Sequence, residues 1–167
     1  MKIAITDLAD YNEGILRYEW LDLEEYPDEA MISEYLEEFL EKRSKETGEL
    51  HEEWFISDYD EFPNIGEHPC VEEIARGAEL SIDYGWEIAK AYFEMNGKFN
   101  GFEEAYNGTH KSEEDFAYEL AHECYSLAQL GDLEMYLDWE KYARDLFIND
   151  YFSNALREGS VAVFQRP

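Results

Sequence analysis

A chain of 167 residues with 45% hydrophobic and 16% aromatic content can bury a core, which excludes a disordered polypeptide. Against 41 Asp and Glu stand only 13 Lys and Arg, a net charge of -28 and a pI near 4.2. Small domains usually carry roughly 2 to 8 net charges, so this acidity argues against direct binding to nucleic acid or an anionic membrane. Self-repulsion on this scale costs stability, and points to a high-salt habitat or a function that uses the field.

In chain order, KIAITDL reads as a strand, YNEG as a turn and ILRYEWLDL as a second strand, with Leu16, Tyr18 and Trp20 sharing one face. The pair predicts a hairpin. In DEAMISEYLEEFLEKRSKETG the residues Met31, Ile32, Tyr35, Leu36, Phe39 and Leu40 form a helical stripe that ends at Gly48. Glu34, Glu37, Glu38 and Glu41 fall on the outer face, and Lys42, Arg43 and Lys45 occupy the last turns, where cations suit the helix dipole. HEEWFISDY is a third strand, with Trp54 and Ile56 alternating.

The Pro/Gly segment EFPNIGEHP marks a boundary. Beyond it lie two short helices. One places Val71, Ile74, Ala75 and Ala78 on one face, with Pro69 in its first turn and Glu72 and Glu79 outside; the other carries Trp86, Ala89 and Phe93 and stops at Gly97. KFNGFEEAYNGTHK reads as strand and turn. In SEEDFAYELAHECYSLAQLG, Ser112 and Asp115 resemble a capping box behind Glu113 and Glu114. There Phe116, Leu120, Cys124 and Leu127 form the apolar stripe, and Glu119 and Glu123 point outward. Asp138 caps a further helix bearing Trp139, Tyr142, Ala143 and Leu146, with Glu140 and Arg144 as an i, i+4 pair. FINDYFS and SVAVFQ close the chain as strands.

The predicted fold class is α+β, an elongated chain of three small domains: 1–62 with a three-stranded sheet and helix, 63–97 helical, and 98–167 α+β. Acid is spread over all three, 19 against 5 bases in residues 1–60, 8 against 2 in 61–97 and 14 against 6 in 98–167. No acidic tail explains the total. Duplex DNA carries one charge per about 1.7 Å of axis, so 28 charges equal those of roughly 14 base pairs, or about 48 Å of helix.

No nucleophile elbow, Walker loop or dinucleotide glycine pattern occurs, and among 41 acids no chosen carboxylate pair is informative. Neither His68 with Cys70 nor His122 with Cys124 reaches zinc-finger spacing. SDYDEFPNIGE only faintly imitates a calcium loop, because Phe62 stands where an oxygen donor belongs. The expectation is no catalytic residue, no metal and no cofactor. Cys70 and Cys124 read as buried or half-buried thiols of a reducing compartment, and the start of the chain has no apolar leader segment. A cytoplasmic protein is expected.

Four segments resemble the ArdA antirestriction family in family order. YLDWEKYARDLFINDYFS is similar to its antirestriction motif, roughly YxDYEAYARDLF, and FEEAYNGTHKSEEDFAYELA to the acidic stretch before it. DYNEGILRYEWLDL resembles YNxGxLxGxWxDL, and EEWFISDYDEFP resembles DYEGFP. The motif maps onto Tyr136, Asp138, Trp139, Tyr142, Ala143, Arg144, Asp145 and Leu146.

The resemblance implies a DNA mimic encoded on mobile elements. Such a protein occupies the DNA-binding groove in the methyltransferase core of type I restriction-modification enzymes, and forms a homodimer of three-domain subunits. The surface expected to carry the mimicry comprises Glu34, Glu37, Glu38, Glu41, Glu72, Glu79, Glu113, Glu114, Glu119 and Glu123. Two departures stand out: the family's glycines are replaced by Glu61 and Tyr18, which predicts a different turn geometry at Glu61. The alternatives are an acidic chaperone or partner for a basic DNA-binding host protein, and a halophile's enzyme with an acidic coat.

Overall fold

In the computed structural model, which describes residues 1–125 and 127–166 and only the backbone of 128 and 130, the alternation of KIAITD becomes strand β1 (Lys2–Asp7). It is the middle strand of an antiparallel sheet of order β2-β1-β3, with β2 at Tyr18–Asp22 and β3 at Trp54–Asp60. The predicted hairpin pairing forms, but a short helix, α1 (Leu8–Asn12), replaces a simple turn. Asp7 caps it, accepting from the Asp10 backbone N–H at 2.8 Å.

Alternation gives the sheet two unlike faces. Ile3 and Ile5 of β1 share theirs with Leu21 of β2 and Ile56 of β3, all buried. On this side lies α2 (Glu29–Thr47), whose Tyr35 and Lys42 reach Glu19 of β2. The aliphatic and aromatic residues it buries are Ile32, Leu36 and Phe39. Asp28 caps its start, and Gly48, at φ 78°, ends it in the left-handed conformation that only glycine adopts at little cost.

On the opposite sheet face stand Ala4, Thr6, Tyr18 and Trp20. The Leu16–Tyr18–Trp20 face read from the sequence is therefore the exposed one, and Leu21 and Leu23 are the buried members of that segment. Both sets are apolar, so periodicity finds the faces without saying which is covered.

Helices α3 (Val71–Tyr84) and α4 (Trp86–Asn96) follow. Pro69 precedes the N-cap, Cys70, and so stands just outside the first turn. Ile74 and Ala78 are buried as expected, whereas Val71 and Ala75 are half-buried and Gly77, Leu80 and Ser81 complete the inner face. Gly77 is required by close approach. A Cβ there would lie 2.7 Å from Cζ of Phe62 and 2.9 Å from the ring of Phe99.

The chain is mixed α+β and divides into two compact units, Met1–Phe99 and Asn100–Pro167. The helices expected in a central section, 63–97, belong to the first unit.

The second unit contains α5 (Phe102–Ala105), β4 (Tyr106–His110), α6 (Glu113–Cys124), a 3-10 segment (Leu127–Tyr136) broken at Gly131, α7 (Trp139–Asn149), β5 (Tyr151–Ala155) and β6 (Val161–Gln165). Its antiparallel sheet has the order β4-β6-β5. Phe152 and Phe164 face each other across the β5–β6 ladder and stack at 4.9 Å, with Phe102 edge-on to Phe164 at 5.9 Å. The apolar stripe of α6 shifts from the expected one: Phe116, Ala117 and Ala121 are buried, Leu120 and Leu127 half-buried, and Cys124 exposed. Cys70 is exposed too, which corrects the expectation of buried thiols.

Candidate functional site

No helix among the described residues is long and apolar enough to cross a membrane. The chemistry of this chain lies in the placement of its charges. Of the eight Lys and Arg in residues 1–99, seven (Lys2, Arg17, Lys42, Arg43, Lys45, Arg76 and Lys90) are engaged by acids of the same unit. Lys42 meets Glu19 at 2.8 Å across to β2, and its own pKa is held above the usual lysine value by that hydrogen bond. Exposed pairs of this kind contribute about 0–1 kcal/mol each. Their larger consequence is that few cations remain to neutralise the other carboxylates.

Those other carboxylates include most of the ten acids singled out from the sequence. Glu34, Glu37 and Glu38 on α2, Glu72 on α3, and Glu114 and Glu123 on α6 are exposed. None of these six takes part in an ion pair among the described residues. Two of the remainder are partly neutralised, Glu41 by Lys45 at 2.7 Å and Glu79 by Arg76 at 2.6 Å, and Glu119 is hydrogen-bonded to His110 Nδ1 at 2.9 Å. Glu113 is half-buried and accepts from Ser153 Oγ at 2.6 Å, which ties α6 to β5.

The segment 136–146 divides by role. Asp138 caps α7, accepting from the Lys141 backbone N–H at 3.0 Å. Trp139 is half-buried, edge-on to Tyr118 at 5.1 Å and stacked over His122 at 6.4 Å. Tyr142 is half-buried, with its phenol pushed up chiefly by burial. Leu146 is half-buried and Ala143 fully so. Tyr136, Arg144 and Asp145 are exposed. Among the described residues Glu140 and Arg144 do not form the expected salt bridge.

A second group of charges was not anticipated. Arg43 is buried against Asp10: Nε donates to Oδ2 at 2.8 Å and Nη2 to Oδ1 at 2.9 Å, while Nη1 donates to Glu46. The guanidinium holds the Asp10 carboxyl below the usual carboxylate range, and Asp10 in turn raises Arg43. Asp7 Oδ2 bonds His51 Nδ1 at 2.8 Å, and His51 Nε2 bonds Thr47 Oγ1 at 2.9 Å. Asp7, Asp10 and His51 bring potential metal-ligating atoms within 4.8 Å of one another. Every one of those groups already has a partner within the protein, so the cluster braces β1, α1 and α2. Its signal was present in the sequence, since Arg43 continues the buried 32, 36, 39 stripe by one turn.

The turn at Glu61 has a left-handed backbone, φ 51°, although its residue is not glycine.

A family model described as antirestriction protein (ArdA) matches residues 3–160, nearly the whole chain. Comparisons with curated proteins and with solved structures return no match.

Proposed function

We propose, from the premise that the chain belongs to the ArdA antirestriction family, that it acts as a protein decoy for DNA. In this reading it fills the basic groove of the methyltransferase core of a type I restriction-modification enzyme in the cytoplasm. The observation that carries the proposal is the set of exposed, unpaired carboxylates on folded helix faces in both units. A folded acidic face presents charge at fixed spacing, which a disordered acidic tail does not.

Along α2, Glu34 to Glu41 spans about 10.5 Å at 1.5 Å per residue. Four carboxylates over that rise are about 3.5 Å apart, against 3.4 Å per phosphate along one DNA strand. An enzyme groove lined by Lys and Arg would be attracted at long range and held by many modest ion pairs. Occupancy alone then blocks DNA, and no step of bond chemistry is required. A homodimer is part of the same reading. Exposed Leu133, Met135 and Tyr136, beside the half-buried Trp139 and Tyr142, offer apolar surface for it.

The test is restriction of an unmodified plasmid by a purified type I enzyme, with a type II nuclease in parallel. Protection against the first alone is expected. Reversing Glu34, Glu37, Glu38 and Glu41 together to Lys changes the charge by eight units, and should raise the half-protecting concentration at least ~10-fold, because roughly four phosphate-like contacts are lost. Unchanged potency in a folded variant would remove α2 from the decoy, and absence of protection against every type I enzyme tried would overturn the proposal.

A further inference from the structure

The exposed side of the N-terminal sheet carries a concavity of about 460 Å³ lined by Tyr11, Leu16, Tyr18, Phe55, Asp58 and Glu67 among others. Small buried residues, Ala4 and Thr6, form its floor, where Thr6 Oγ1 and Ser57 Oγ hydrogen-bond at 2.7 Å. Aromatic rings form its walls. Tyr11 meets Phe55 edge to face at 5.2 Å, and the Tyr18 wall is backed by Trp20, outside the lining, at 6.0 Å in the same geometry. Tyr11 is 50% exposed, Tyr18 57% and Leu16 84%, so apolar surface is left open that folding alone would favour covering.

The charges around this concavity have one sign to spare. Arg17, at its edge, is already engaged by Glu46 at 3.2 Å. Asp58 and Glu67 are exposed and form no ion pair among the described residues.

We infer that this concavity is a socket for an arginine side chain of a basic partner protein. The walls distinguish arginine from lysine: a planar, weakly hydrated guanidinium stacks on aromatic rings while donating in its own plane to carboxylates, whereas a compact ammonium stays hydrated. Aromatic walls with free carboxylates beside them match that one group in both shape and charge. The socket rests on the decoy reading for its partner, the arginine-bearing groove of a restriction enzyme. It adds to that reading a localised anchor, where distributed charge alone would give a diffuse contact. An arginine that reads phosphates in DNA would here find carboxylate and ring together.

The experiment uses the full chain, isotope-labelled for ¹H–¹⁵N correlation spectra, titrated with N-acetyl-arginine amide and, separately, with N-acetyl-lysine amide. Saturable shifts are expected at Thr6, Tyr18, Ser57 and Asp58 and at the Trp20 indole, with the arginine probe at least ~5-fold tighter. Tyr18→Ser and the isosteric Asp58→Asn should each weaken arginine binding at least ~3-fold, while Glu158→Gln, at an exposed acid of the second unit outside the proposed decoy set, leaves it unchanged. Equal shifts with both probes, shifts spread over all acidic helices, or indifference to both substitutions would overturn the socket. The result is independent of restriction. A socket that binds arginine in a protein without antirestriction activity would sink the decoy alone, and a working decoy with no arginine preference at this face would sink the socket alone.

Discussion

The buried pair of Arg43 and Asp10 permits a quantitative experiment on how this acidic chain holds its first unit together. Two hydrogen bonds of 2.8 and 2.9 Å join side chains that are 5% and 2% exposed. Replacing Arg43 by Met leaves Asp10 buried without its cation, and the carboxylate's escape is to take up a proton. Moving a carboxyl from its usual value near 3.9 to neutral pH corresponds to about 3 units at 1.36 kcal/mol each, so about 4 kcal/mol. That agrees with the roughly 3–5 kcal/mol typical of breaking a buried pair from one side. Asp10→Leu strands the guanidinium on Glu46 alone and should cost about as much.

The double variant removes both charges, and the apolar pair should restore at least half of the summed loss, an interaction energy of about 2 kcal/mol or more. Urea unfolding followed by tryptophan fluorescence, with one slope shared among the variants, measures this. Single-variant losses under about 1 kcal/mol, or losses that simply add, would refute the claim that the pair is buried and coupled.

Acid should act on the same contact. The Asp10 carboxyl is depressed in the folded state, so its contribution is present above the unfolded value near 3.9 and lost as pH falls from there through the folded value. An Asp10→Asn chain should lack that part of the acid-induced loss in a pH series of urea midpoints. At the alkaline end, Tyr35 and Tyr59 are each pushed up to about 12, mainly by burial. Stability should therefore decline as pH rises from about 10 through 12, and Tyr35→Phe should flatten the decline. Gly77→Ala places a methyl against Phe62 and Phe99 at 2.7–2.9 Å. Overpacking of about 1–3 kcal/mol should outweigh the about 1 kcal/mol gained in helix propensity, which lowers the thermal midpoint. Glu61→Gly should be neutral to about 1 kcal/mol stabilising, because relief of the left-handed backbone at φ 51° exceeds the added chain entropy. A clear loss of stability there would mean that the Glu61 side chain contributes more than its backbone costs.

Local chemistry makes much of this protein legible in its sequence. Ser112 and Asp138 cap their helices because a short side-chain acceptor preceding an apolar period serves the free N–H groups of the first turn. Gly48 and Gly97 end helices because each supplies a positive φ. The net charge, its spread over folded elements and four ordered motifs were likewise properties of the chain itself, and they sufficed to place it in its family.

Tertiary structure decided what periodicity cannot. The second strand has apolar residues on both faces, so only the seating of α2 made Leu21 and Leu23 core and left Tyr18 and Trp20 outside. Arg43 occupies a stripe position that favours burial but carries a charge that opposes it. Asp10, 33 residues away, resolves the conflict by supplying the partner. The same holds for the acidic surface. Sequence counts its carboxylates, but a carboxylate remains free only where no cation is within reach. Glu41 and Glu79 are paired within their own helices, at i, i+4 and i, i+3, which spacing alone allows, whereas folding is what brings His110 of β4 to Glu119 of α6; among the described residues Glu34, Glu37, Glu38, Glu72, Glu114 and Glu123 form no ion pair.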